Sequence, residues 1–205
     1  MAKIDPMTRQ AAYDTSTALV VVDVQNDFAD PAGSLYVRGG EEVPALVNAE
    51  LAAARAAGAL VVFTQDWHPA QTPHFVTSGG IWPVHCVGGT WGAELHPALD
   101  AAPSEPRIRK GTGGEDGYSG FTMADPVSGE KASTGLDTLL RQAGIQRVVV
   151  AGLATDYCVK ATALDAVSLG YETAVLRDDI RAVDLQPGDG DRAIAEMEAA
   201  GATLA

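Results

Sequence analysis

Only two of the 205 residues are cysteines, Cys86 and Cys158, too few for the disulfide framework that staples small secreted domains. Basic residues are scarce as well: 14 Lys and Arg stand against 27 Asp and Glu, a formal charge of −13. So acidic a surface repels phosphate backbones, and no Lys/Arg cluster offers a local exception, so nucleic acid is not expected as a partner. Long apolar runs are missing too. The longest, Ala18 to Val22, is far too short to cross a bilayer, and the mixed charges of Lys3, Asp5, Arg9 and Asp14 before it do not make a secretion signal. The expectation is a cytoplasmic protein with no membrane partner. Internal repeats and low-complexity segments are absent.

What is present is core material. Hydrophobic residues form 46% of the chain, enough for one well-buried domain. Residues 1–16 read as a poorly patterned leader with some disorder expected, and 17–205 as a single domain. Ala18 to Val24 is a β-branched run of the kind buried on both faces of a parallel sheet. Glu41 to Ala57 sets Val43, Leu46, Val47 and Leu51 at helical spacing, and Gly58 stops it. Residues 59–64, 107–110, 147–150 and 171–176 read as further strands; 134–143, 156–169 and 191–200 read as helices. This alternation predicts an α/β fold: three layers, α/β/α, around a mainly parallel, doubly wound sheet. Homo-oligomer formation is compatible with it.

Residues 65–106 break the pattern. They hold all four histidines and all three tryptophans, and a long irregular segment inside a regular α/β chain is usually functional. Ligands of an open parallel sheet sit beyond the carboxyl ends of its strands. Asp23 follows the first strand, Asp66 and His68 the second, Lys110 the third, and Cys158 the fourth by way of Leu153-Ala154-Thr155-Asp156-Tyr157. A carboxylate, an Asp/His pair, a lysine and a thiol thus converge on one edge.

Cys158 falls in the first turn after Asp156, a good helix-capping residue. Free N–H groups there, and Lys110 nearby, would lower its pKa, and Asp23 could take the thiol proton and return it to a leaving group. A buried, inert cysteine fits the position equally. Asp66 and His68 share one side of an extended segment, with His74 and His85 following. One carboxylate and two or three imidazoles suit a borderline divalent cation, although satisfied loop histidines would leave the same trace. Cys86 could serve as a soft ligand beside His85, but two adjacent residues turning to one point is awkward. His96 reads as structural.

Five motifs occur in order: Asp23-Val24-Gln25-Asn26-Asp27-Phe28, Asp66-Trp67-His68-Pro69, Trp82-Pro83-Val84-His85-Cys86-Val87, Arg109-Lys110-Gly111 and Gly152-Leu153-Ala154-Thr155-Asp156-Tyr157-Cys158-Val159. From about residue 18 to the C-terminus the chain resembles the nicotinamidase/pyrazinamidase family of isochorismatase-like cysteine hydrolases. The resemblance implies nicotinamide as a small-molecule substrate and a triad of Cys158 as nucleophile, Asp23 as general acid/base and Lys110 as electrostatic partner. It implies one divalent metal ion (Zn, Fe or Mn) on Asp66, His68 and His85, with His74 a ligand in some members. It also implies a cis Leu153–Ala154 peptide, an oxyanion hole of the Ala154 and Cys158 backbone N–H groups, and a pocket of Phe28, Trp82, Tyr118, Leu153 and Tyr157. The segment Gly111 to Tyr118 is longer and more acidic than the family pattern.

Other chemistries fit less well. Isochorismatases lack the cysteine, and relatives acting on carbamoyl or ureido compounds generally keep the triad without the metal set. Aspartyl phosphatases need a second carboxylate where this chain has Gln25. A non-catalytic, metal-stabilised binding module would hold ligand without turnover.

Overall fold

In a computed structural model that describes residues 13–205, the first strand, β1 (Thr17–Val22), is buried along its whole length. Leu19 and Val21 face one hydrophobic cluster and Ala18, Val20 and Val22 the other, as the two-residue period of a strand dictates. Five strands join it in a wholly parallel sheet: β2 (Leu60–Asp66), β3 (Arg107–Lys110), β6 (Arg147–Leu153), β7 (Glu172–Arg181) and β8 (Thr203–Leu204). Their spatial order is β3-β2-β1-β6-β7-β8. β4 (Thr122–Ala124) and β5 (Lys131–Ser133) form a separate antiparallel pair.

Helices cover both faces. α2 (Val43–Ala56) buries Val43, Val47, Leu51 and Ala54 in the first cluster; α3 (Leu136–Gln142), α4 (Lys160–Ser168) and α5 (Asp189–Ala200) bury Leu136, Leu140, Ala163, Ala166 and Met197 in the second. This is the expected three-layer, doubly wound fold. The chain winds from β1 outward through β2 to β3, then returns to the other flank of β1 as β6 and winds on to β7 and β8. The switch point lies between β1 and β6, where doubly wound sheets open a crevice for ligands.

Several boundaries differ from the sequence expectation. β1 stops at Val22 because Asp23 takes φ 49°, a left-handed conformation that aspartate tolerates better than most residues. β2 continues to Asp66 and β6 to Leu153. The expected helix over 156–169 is split: a π-turn, Thr155–Val159, precedes α4. Asp156 caps nothing there; its carboxylate accepts from the backbone N–H groups of Val183 and Asp184 at 2.9 and 2.8 Å. A one-turn helix α1 (Asn26–Ala29), the β4–β5 pair and β8 left no sequence signal, each being too short for a hydrophobic period.

Residues 1–12 of the expected leader lie outside the described residues. Next to them, the Tyr13 hydroxyl donates to Glu50 at 2.7 Å, and Asp14 accepts from the hydroxyls of Ser16 and Thr17. Among the described residues no helix is long and apolar enough to cross a membrane.

Candidate active site

The residues that end neighbouring strands meet beneath the switch point. Lys110, the last residue of β3, is fully buried, and its Nζ donates to Asp23 Oδ2 at 2.6 Å and to Asp66 Oδ1 at 2.8 Å, with Cys158 Sγ at 3.5 Å. Backbone oxygens of Gly117 and Tyr118 also accept from it. Asp23 Oδ1 accepts from the Thr64 hydroxyl at 2.6 Å. Carboxylate oxygens of Asp23 and Asp66 and the Cys158 sulfur lie within 4.8 Å of one another.

Burial is the first influence on each of these groups. It lifts Asp23 to about 6, against the pull of Lys110. It would lift Asp66 as well, but Lys110 and then His68 and His85 hold that carboxyl well below the usual range. It opposes charge on Lys110, yet Asp23 and Asp66 keep the ammonium well above an ordinary lysine value. It drives the Cys158 thiol well above its usual value; Lys110 works against this, while Asp23 and Asp66 add to it. This direction is opposite to the depressed thiol expected from sequence, because burial and two carboxylates work against one ammonium.

Beside this cluster stand the three histidines. Asp66 Oδ2 is 3.8 Å from both His68 Nε2 and His85 Nε2, and ligand atoms of His68, His74 and His85 lie within 4.8 Å of one another. Both ring nitrogens of His68 are buried without a hydrogen-bond partner, a costly arrangement that a bound cation would relieve. His85 Nδ1 is 2.8 Å from the Pro83 carbonyl oxygen and His74 Nδ1 is 2.7 Å from Asp116 Oδ1. Acceptors there favour the tautomer with the proton on Nδ1 and a free lone pair on Nε2, the arrangement that outer-shell partners give to histidines able to bind a metal. These residues fit a divalent metal. Cys86 does not join them: its sulfur faces the Gly92 carbonyl at 3.8 Å, and burial pushes its thiol well above the ordinary value.

A narrow cleft opens over both clusters. Phe28, Trp82, Tyr118 and Tyr157 line it together with Leu35, Val183, Asp66, His74, His85, Ala154 and Cys158. The Trp82 indole N–H donates to the Tyr118 hydroxyl at 2.8 Å, and Trp82 meets the Tyr157 ring edge-on at 4.8 Å. The Leu153 side chain, expected in the pocket, is wholly buried in the first cluster and is not among the residues lining the cleft. The Leu153–Ala154 peptide is cis, as the resemblance implied. The Ala154 carbonyl accepts from the N–H groups of Tyr157 and Val159, winding the turn that carries Cys158.

Supporting side chains come from the first motif. The Gln25 amide nitrogen donates to the Asp66 and Ala93 carbonyls, each at 2.8 Å, and its oxygen accepts from Asp66 N–H at 2.8 Å. Asp27 accepts from Cys86 N–H at 2.7 Å, next to His85, and from Ser34 N–H at 3.0 Å. Gly92 packs so close that an added Cβ would fall 2.0 Å from the Asp27 carboxylate. The fixed places of Gln25 and Asp27 in the motif could have flagged them. Leu35 and Val183 carry no such signal, since isolated aliphatics look like core anywhere.

The model of the isochorismatase domain matches residues 17–205. The nicotinamidase of Escherichia coli is 39% identical over 203 residues, covering 91% of this chain and 93% of that protein. Among solved structures, pyrazinamidase of Pyrococcus horikoshii in complex with zinc superposes with TM-score 0.82 at 39% identity, covering 93% of this chain and 98% of that one. PnC1 from L. infantum in complex with nicotinate gives TM-score 0.85 at 37% identity over 96% of each chain. With a family match along most of its length and such likeness in sequence and shape, the chain belongs to the isochorismatase family.

Proposed function

We propose that this protein is a metal-dependent amidohydrolase that converts nicotinamide to nicotinate and ammonia, and pyrazinamide likewise, through a thioester on Cys158. The observation that carries this reading is the single buried ammonium of Lys110 joined to Asp23, Asp66 and Cys158 at once, beneath a cleft walled by aromatic rings.

In this mechanism Asp23 takes the thiol proton as sulfur attacks the carboxamide carbon, and backbone N–H groups of Ala154 and Cys158 receive the charge that develops on oxygen. One such donor is worth on the order of 3 kcal/mol of barrier. Asp23 then passes the proton to the departing nitrogen; the C–N bond breaks, ammonia leaves and the thioester remains. A water molecule gives its proton to Asp23 and adds to the thioester carbon, the C–S bond breaks, and Asp23 returns the proton to sulfur. Lys110 stays charged throughout, offsetting whichever of its anionic neighbours carries charge. Phe28, Trp82, Tyr118 and Tyr157 hold the ring and exclude water.

Asp66, His68 and His85, with His74, would hold the ion, zinc, iron or manganese. When bound, such an ion supplies a Lewis-acid site for the ring nitrogen of the substrate, directly or through water. Two unpaired thiols, Cys86 and Cys158, suit the reducing cytoplasm.

Ammonia release from nicotinamide and pyrazinamide tests the proposal. A Cys158→Ala protein that kept the wild-type rate would end it. Full turnover by demetallated protein would instead favour a carbamoyl or ureido substrate.

A further inference from the structure

Asp116 has no part in the reaction above. It lies in the segment Gly111 to Tyr118, whose acidity departs from the family pattern, and its Oδ1 stands 2.7 Å from Nδ1 of His74, 42 positions away in the chain. Its place is fixed by backbone pairing. Asp116 N–H donates to the Ala124 carbonyl at 2.7 Å, Ala124 N–H returns a bond at 3.2 Å, and Ala124 is itself paired in the β4–β5 hairpin. The His74 ring is buried and stacks on His68 with centroids 4.8 Å apart.

A carboxylate can only accept, so at this distance it keeps the imidazole proton on Nδ1 and leaves Nε2 with a free lone pair. It also stops the ring from turning. We infer that Asp116 is a positioning residue that, through His74, prepares this histidine as a metal ligand and tightens the hold of the site on a divalent cation. The inference rests on the metal-dependent reading above. A plain loop-stabilising ion pair would share the distance but not the consequence for metal affinity.

The test is zinc affinity, measured by competition with a chromophoric chelator. The proteins are wild type, Asp116→Ala, Asp116→Asn, His74→Ala and the Asp116→Ala/His74→Ala double variant. The Asp116 side chain is 29% exposed, which places the expected loss for Asp116→Ala at the lower end of outer-shell effects, about tenfold. The double variant should bind zinc no more weakly than His74→Ala alone, because the carboxylate acts through the ring.

Wild-type affinity in Asp116→Ala overturns the inference, as does a double variant weakened by the full product of the two single effects. Should Asp116→Ala fail to fold, Asp116→Asn decides, since it removes the charge at nearly constant shape: weakened binding supports the inference and wild-type affinity overturns it. A wild-type chain that takes up no zinc would sink the metal-dependent reading together with the inference. Unchanged Asp116 variants of a zinc-binding wild type sink the inference alone.

Discussion

Lys110 Nζ and Asp23 Oδ2 are 2.6 Å apart, although Lys110 ends β3, Asp23 follows β1, and β2 runs between them. The lysine reaches beneath the end of β2 and meets Asp66 on the way. One cation therefore serves two carboxylates that would otherwise face each other in a buried site.

Removing that cation should be costly to the fold. Lys110→Met leaves Asp23 and Asp66 buried without their counter-charge, and breaking a buried pair in this way costs about 3–5 kcal/mol. Urea denaturation at neutral pH should reveal a lowered midpoint. A variant as stable as wild type would mean that the pair contributes nothing net to the fold.

The pH dependence follows from Asp23. As a base it must be ionised, and its value is raised to about 6 by burial, so kcat/KM should fall as pH drops through that region. Asp23→Asn should lose 10²- to 10⁴-fold in rate, and this limb of the profile with it. For stability the sign is opposite. A carboxyl raised above its unfolded value of about 3.9 favours the folded state most below that value, and the contribution is lost as pH rises through about 6. Asp66, held low, stabilises above the ordinary carboxylate value and gives this up as pH falls through its depressed one. A pH–rate profile flat from 5 to 8, roughly a unit or two around that value, would contradict the role given to Asp23.

Gly111 is a third point of test. It sits at φ +71°, and an added Cβ would fall 2.5 Å from the His68 ring. Gly111→Ala therefore strains the backbone and pushes aside His68, a ligand in the proposed metal site. Zinc content of the purified variant should fall and KM should rise, with the Cys158 cluster left in place. Full metal content would show that the loop yields instead.

Much of this arrangement was legible because function sits at strand ends. β-branched runs mark the strands, and Asp23, Asp66, Lys110 and Cys158 all stand at or shortly after strand ends, where a doubly wound sheet gathers its functional groups. Side chains that work by reaching across the fold were less visible. Asp116 meets His74 only through a loop whose path depends on a three-residue hairpin, and three residues carry no readable period. The proton affinity of the thiol is hard to read from sequence for a related reason. Sequence places Cys158 after a strand and before a helix, but its proton affinity depends on burial and on how closely two carboxylates approach it.

The clamp made by Gln25 has a further consequence. By gripping Asp66 from both sides of its backbone, it locks the tip of one strand to that of its neighbour, a separation of about 4.8 Å set by the sheet ladder itself. On the proposed mechanism, the gap between the aromatic side chains of the cleft and the Cys158 sulfur would then act as a fixed gauge. Pyridines bearing the carboxamide at position 2 or 4 would present the carbonyl off that gauge, so rates on the three positional isomers measure how little this molecule can stretch.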